Sequence, residues 1–127
     1  MSEKHLYEFS VIRLVPRVER EEFLNVGVIV FCKRQKYLRV LVKIDHAKLN
    51  AIAGTVEHTE LLKGLQAFEN IAVGKKECGP IAQLEISERF RWLTAVRSSS
   101  VQTSRPHPGL STNLDDTLQH LFNEMVL

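Results

Sequence analysis

Arg13, Arg17, Glu22 and Asn25 are the residues of this 127-residue chain whose types and spacing best suit chemistry. An arginine presents a planar fork of donors, and an asparagine amide both donates and accepts. Brought together, they could hold a carboxylate or a phosphate, since a guanidinium meets either through two parallel hydrogen bonds. A plainer role fits the same residues. Glu22 would pair with Arg13, and the Asn25 amide would fasten the backbone of the loop beside it. Gly27 follows at the head of the most apolar segment, "NVGVIVFC". A glycine inside a strand marks a bulge or the close approach of another backbone or a bulky ring. A second group lies late in the chain, in "RSSSVQTSRPHP". Arg97, Ser99, Arg105 and His107 there could form an anion- or peptide-binding loop, against the alternative of a simple surface connection.

Other chemistries find less support. His5, His46, His58, His107 and His120 have no ligand-type partners at zinc-like spacing, and Cys32 and Cys78 stand 46 positions apart. No metal site and no cofactor is expected. "GKKECG" lacks the spacing of a phosphate loop, and no GxSxG elbow is present. A thiol–imidazole pair made by folding, such as Cys78 with His107, stays open, although idle thiols are far commoner than nucleophiles.

Net charge is +2, too small to demand a polyanion. Residues 1–44 hold nine Lys/Arg against five Glu, and residues 45–127 hold eight against ten Asp/Glu. The basic excess falls on Lys33, Arg34, Lys36, Arg39 and Lys43, which read as a solvated strand face before they read as a nucleic-acid surface. Hydrophobic content of 44% and charged content of 25% fit a folded domain. No apolar run reaches the roughly 18–20 residues of a membrane span. The N-terminus has no apolar h-region, and two cysteines make no disulfide framework, so a cytoplasmic protein with reduced thiols is expected.

These residues need a scaffold. The segment 7–14 is aromatic and β-branched and reads as a first strand. The segment 25–32 reads as a central second strand, with Val26, Val28 and Val30 on one face and Ile29 and Phe31 on the other. After the turn "KRQK", residues 37–44 alternate cleanly: Leu38, Val40, Val42 and Ile44 face one way, Tyr37, Arg39, Leu41 and Lys43 the other. Short links make these an antiparallel meander. Arg13 then lies near Asn25, and the ten-residue connection "VPRVEREEFL" brings Arg17 and Glu22 to the same end. Asp45 caps a short helix that Gly54 stops. From Val56 to Val73, Leu61, Leu65, Phe68 and Ala72 recur at helical spacing, with Gly64 a weak point. Pro80 opens a helical turn. Ser87 is expected to cap a further helix with Phe90 and Leu93 inward and Trp92 at its edge. Residues 97–112 form a polar loop, within which "SSVQTS" could be a fourth strand. A last helix carries Leu114, Leu118, Leu121, Phe122 and Met125, opened by a capping box of Thr112 with Asp115. The expected fold is α+β in one domain spanning 1–127: an antiparallel sheet of three to four strands, packed with three to four helices and closed by a C-terminal helix.

The opening resembles a bacterial family catalogued as a domain of unknown function, number 3037. The resemblance rests on Arg13 and Pro16, then Glu22, Phe23, Asn25, Gly27 and Val28, and on "VRSSSVQTSRPHPG" followed by a helix ending in "LFNEMV". Val96 departs from it, where proline is expected before Arg97. The resemblance implies a bacterial cytoplasmic protein with no established activity. Members are often encoded beside a HipA-like kinase, which implies a partner or regulator role. A non-enzymatic protein-interaction or regulatory module is therefore expected, with a homo-oligomer possible. An enzyme or a nucleotide- or anion-binding domain on Arg13, Glu22 and Asn25 is the alternative, and a nucleic-acid-binding module on the basic hairpin is a third.

Overall fold

A computed structural model describes residues 3–54, 57–97 and 99–127. The reading of the extreme N-terminus at Met1 and Ser2, the start of the helical stretch at Val56, and Ser98 of the polar loop lie outside the described residues. Among those described, five strands and four α-helices form an α+β fold. In chain order they are β1 (His5–Leu14), β2 (Leu24–Cys32), β3 (Tyr37–Val42), α1 (His46–Ala53), α2 (His58–Val73), α3 (Ile86–Leu93), β4 (Val101–Thr103), β5 (His107–Ser111) and α4 (Leu114–Met125). All strand pairs are antiparallel. The N-terminal meander is present, with β2 between β1 and β3.

The free edge of β1 is then shared by two late strands. Its C-terminal half pairs with β4, and its N-terminal half with β5. β4 falls inside the segment that read as a possible fourth strand. β5 falls where a loop was expected, in a run that contains Pro108 and Gly109. Proline is tolerated on an edge strand, where its missing N–H need not join a ladder. Gly109 lies under the Tyr7 ring, which occupies the space a Cβ would need.

Each face of the sheet is covered. On one side Ile12, Leu14, Ile29 and Phe31 pack with Leu49 of α1, with Leu61, Leu65, Phe68 and Ala72 of α2, and with Phe90 and Leu93 of α3. The Phe31 and Phe90 rings stack with centroids 4.8 Å apart. On the other side Val28, Val30 and Cys32 pack with Leu114, Leu118, Leu121 and Phe122 of α4. Each such large side chain stabilises the fold by about 1.5–3 kcal/mol when fully buried. Gly64 has a packing reason. A Cβ there would meet Val101 of β4 at 3.2 Å, so the missing side chain lets α2 lie close to the strand.

Three local expectations are corrected. Val26 does not share a face with Val28 and Val30; it packs into the α1–α2–α3 side with Ile29 and Phe31. The cause is a β-bulge. Ile12 pairs with Gly27 and Arg13 with Asn25, so Val26 has no partner of its own on β1. An unpaired extra residue shifts the alternation of faces by one. Second, α3 is preceded by Glu85 and has no side-chain cap; Ser87 lies inside the helix. Third, Asn113 caps α4 by accepting from the Asp116 N–H at 3.1 Å, one residue later than the expected Thr112. At α1, Asp45 accepts from the Lys48 N–H at 3.1 Å, and Gly54 follows the last turn.

Candidate interaction groove

The connection from β1 to β2 carries the first group of candidate residues. After Pro16 it makes one 3-10 turn, Val18–Arg20, closed by Glu21 in the left-handed region at φ 56°. That reversal returns the chain to β2 with Phe23 half exposed, at 47%. Arg13 and Asn25 are cross-strand partners, as their positions on a hairpin require. Glu22 does not reach Arg13. It forms an exposed ion pair with Arg20 at 2.5 Å. Arg17 stands exposed at the start of the 3-10 turn, where its carbonyl accepts from the Arg20 N–H at 3.1 Å.

Asn25 and Arg13 use their side chains differently. The Asn25 amide donates to the Met125 carbonyl at the end of α4, 3.2 Å away and 100 residues along the chain. It therefore ties β2 to the last helix and not to the neighbouring loop. Gly27 is held by geometry: a Cβ there would lie 2.5 Å from the Leu41 carbonyl oxygen of β3 and 3.2 Å from Ile12. The close backbone approach at Gly27 thus lies directly beside the bulge at Val26. The Arg13 guanidinium lies over the Phe23 ring, 4.2 Å from its centroid, and its Nε is buried without a hydrogen-bond partner. An aromatic face holds a cation through its quadrupole, worth about 0.5–2 kcal/mol depending on exposure.

The second group of candidates divides. Arg97 lies over the Trp92 ring, also 4.2 Å from the centroid. Its Nη2 donates to the Trp92 carbonyl and its Nε to the Ala95 carbonyl. Ser99 turns to its own loop and donates to the Val101 carbonyl at 2.7 Å. Arg105 is exposed between β4 and β5. His107 sits on β5 with its ring 5.4 Å from that of Phe9. Cys78 stands exposed in a separate 3-10 turn, and Cys32 is buried against α4; both are free thiols.

One surface joins the two groups. A groove of about 730 Å³ is lined by Arg13, Phe23, Val96 and Arg97. Val15, Val18 and Gln102 complete its walls, and Glu21 supplies the one carboxylate on its lining. Pairing of β4 with β1 makes this juxtaposition. Leu14 opposes Val101, and the Val15 N–H donates to the Ser100 carbonyl at 2.7 Å, so the chain entering β4 runs beside the chain leaving β1. Val96 is fully exposed, and Trp92, 39% exposed, lies outside the lining and is joined to it through the stacked Arg97 guanidinium. Phe23 and Val96 are lining residues that sequence reasoning did not single out as site residues; Phe23 was visible only within the family resemblance.

Elsewhere, a cavity of about 360 Å³ beside Asn25 is lined by Lys43, Asp45, Lys48 and Val126, and the Asn25 Oδ1 has no donor among the described residues. The basic hairpin is partly neutralised: Arg39 pairs with Asp115 at 3.2 Å and Arg34 with Glu3 at 3.9 Å. Tyr37 also donates to Asp115, at 2.7 Å. Burial, then that hydrogen bond, push the Tyr37 hydroxyl well above its ordinary range. Among the described residues, no three His, Cys, Asp or Glu side chains gather where a metal ion could be held. No helix among them is long and apolar enough to cross a membrane.

The family model described as "Protein of unknown function (DUF3037)" matches residues 9–126. The chain belongs to this family. No curated protein and no solved structure matches it significantly. In this DUF3037 chain the opening motif that carried the resemblance divides by role. Gly27 and Asn25 serve the packing of β2, whereas Arg13 and Phe23 form one wall of the groove.

Proposed function

We propose that this chain is a protein-interaction module without catalysis of its own, and that its partner docks in the groove between the β1–β2 and α3–β4 connections. The observation that carries this reading is the pair of guanidiniums, each stacked on a half-exposed ring, on one concave surface. Aromatic residues and arginine are the types enriched where interfaces concentrate their binding energy. They combine a large apolar area with directed donors. Lysine, with its freer side chain, is depleted there. Phe23 and Val96 add apolar surface that the fold leaves uncovered.

The family resemblance makes a HipA-like kinase the first partner to test. Co-expression with such a kinase should yield a complex that survives size-exclusion chromatography. Phe23→Ala and Arg97→Ala should each weaken it while the far-UV circular dichroism and melting curve stay those of the parent. A complex indifferent to both changes would reject the groove as the docking surface. A smaller reading has one observation in its favour. The unpaired Asn25 Oδ1 beside Lys43 and Lys48 suits a small polar ligand with both a donor and an anionic group, and phosphate or amino-acid titrations followed by NMR at Asn25 would expose it.

A further inference from the structure

We infer that the occupant of the groove is an acidic peptide segment, with a carboxylate bound between Arg13 and Arg97 and a neighbouring apolar side chain laid against Phe23 and Val96. This rests on the reading of the groove as a docking surface and adds the chemistry of what docks.

Charge complementarity is the first argument. Arg20, Arg34 and Arg39 each have a carboxylate partner, in Glu22, Glu3 and Asp115. None of the ion pairs among the described residues involves Arg13 or Arg97. These two line one concave surface, and both are partly buried. A cation withdrawn from water without a counter-charge is costly, and a carboxylate arriving there recovers that cost through charge-assisted hydrogen bonds.

The second argument is how the guanidiniums are held. Arg13 is placed by stacking on Phe23 and not by a hydrogen bond from Nε, which has none. Arg97 is fixed through Trp92 and two backbone carbonyls. Preorganised forks lose less side-chain entropy when they grip a carboxylate. The third argument is the rest of the lining. Val15, Val18, Phe23 and Val96 give the groove an apolar wall, so the segment must carry apolar side chains beside its acid. Glu21 would repel a second carboxylate at its own position and so favours one acid over an unbroken acidic run. The same features disfavour a nucleic acid. One face of each ring is already covered by its arginine, leaving less for a base to stack on.

The test is selection of random phage-displayed dodecapeptides on the full chain, followed by fluorescence anisotropy with the enriched peptides made synthetically. The inference expects sequences with Asp or Glu next to an aromatic or branched residue. Replacing that acid by its amide should weaken binding to the parent chain roughly tenfold or more, the size expected of a central interface contact. Arg97→Gln and Arg13→Gln should each weaken the acidic peptide similarly, yet leave its amide analogue almost unchanged. If Arg13→Gln fails to fold, the acid-to-amide comparison on the parent chain and the Arg97→Gln variant decide alone. Peptides that lose binding on Phe23→Ala but carry no required acid would overturn this inference and leave the docking surface standing. A selection whose binders are all indifferent to Phe23→Ala would overturn both. Displacement of the acidic peptides by oligouridine, with the same dependence on Arg13 and Arg97, would also overturn the peptide assignment in favour of a nucleic acid.

Discussion

Two ends of one cross-strand pair set apart side chains that tie the fold together and side chains that lie on its surface. At Asn25 the side chain turns inward along the structure: its amide holds the Met125 carbonyl, and two residues on, Gly27 lets β3 approach. At Arg13, directly opposite, the side chain is stacked on a half-exposed ring at the wall of a groove. A motif read as one unit thus contains a structural half and a surface half. Residues that lie close in sequence and in space need not share a job: the Asn25 amide N–H is spent on a backbone carbonyl of another element, whereas the Arg13 guanidinium is placed by a ring at the groove wall.

Gly27→Ala should give the largest effect. A methyl 2.5 Å from the Leu41 oxygen forces the β2–β3 backbones apart, and overpacking of this kind costs about 3 kcal/mol. The urea midpoint should fall sharply. A variant as stable as the parent but deficient in groove binding would reverse the assignment of the two halves. Asn25→Ala comes next. It removes the amide's bond to the end of α4, for a loss of about 1–2 kcal/mol. Protection of the last turn of α4 against hydrogen exchange should drop, with peptide affinity at the groove unchanged.

Phe23→Ala should cost under about 1 kcal/mol of stability, since the ring is half exposed and its main partner is one guanidinium. Its effect should appear in binding and not in melting, which sharpens the contrast with Gly27. The smallest effect is a pH dependence far from the groove. Tyr37 has its hydroxyl pushed up by burial and by Asp115, so the folded state favours the protonated phenol. That contribution is fully present below the unfolded value of about 10 and is lost as pH rises above it. Urea midpoints taken from pH 8 to 11 should fall less steeply for Tyr37→Phe than for the parent.

Much of the scaffold was legible because its signals are local. The stripe Leu61, Leu65, Phe68, Ala72 repeats at helical spacing and is buried as such, and the same holds for Leu114, Leu118, Leu121 and Phe122. Alternation in β3 puts Leu38, Val40 and Val42 against one core and Tyr37 and Leu41 against the other. What escaped depends on partners remote in sequence. The bulge at Val26 exists only in the register of β2 against β1. β5 hides behind Pro108 and Gly109, which look like breakers until β1 lies beside them. The groove is the clearest instance. Arg13 and Arg97 were each visible as candidates, but nothing near either residue says that β4 will dock against β1 and bring them onto one surface. Glu22 misled for the opposite reason: a partner two residues away, Arg20, outcompeted the distant one.

The shared edge of β1 also bears on how the chain comes to fold. The Val11 N–H is satisfied by the Ser104 hydroxyl, 93 residues later. The edge of β1 away from β2 pairs with β5 over residues 5–9 and with β4 over residues 12–14, and both strands are made after every helix but the last. During synthesis the β1–β2 hairpin therefore emerges with one ladder edge unfilled, and it stays unfilled until β4 and β5 have been made. Distant pairings of this kind slow folding, and an open edge of apolar strand is where nascent chains pair with each other. The order in which the ribosome delivers these strands makes the interval before β4 and β5 appear the period in which this protein is most exposed to misassembly.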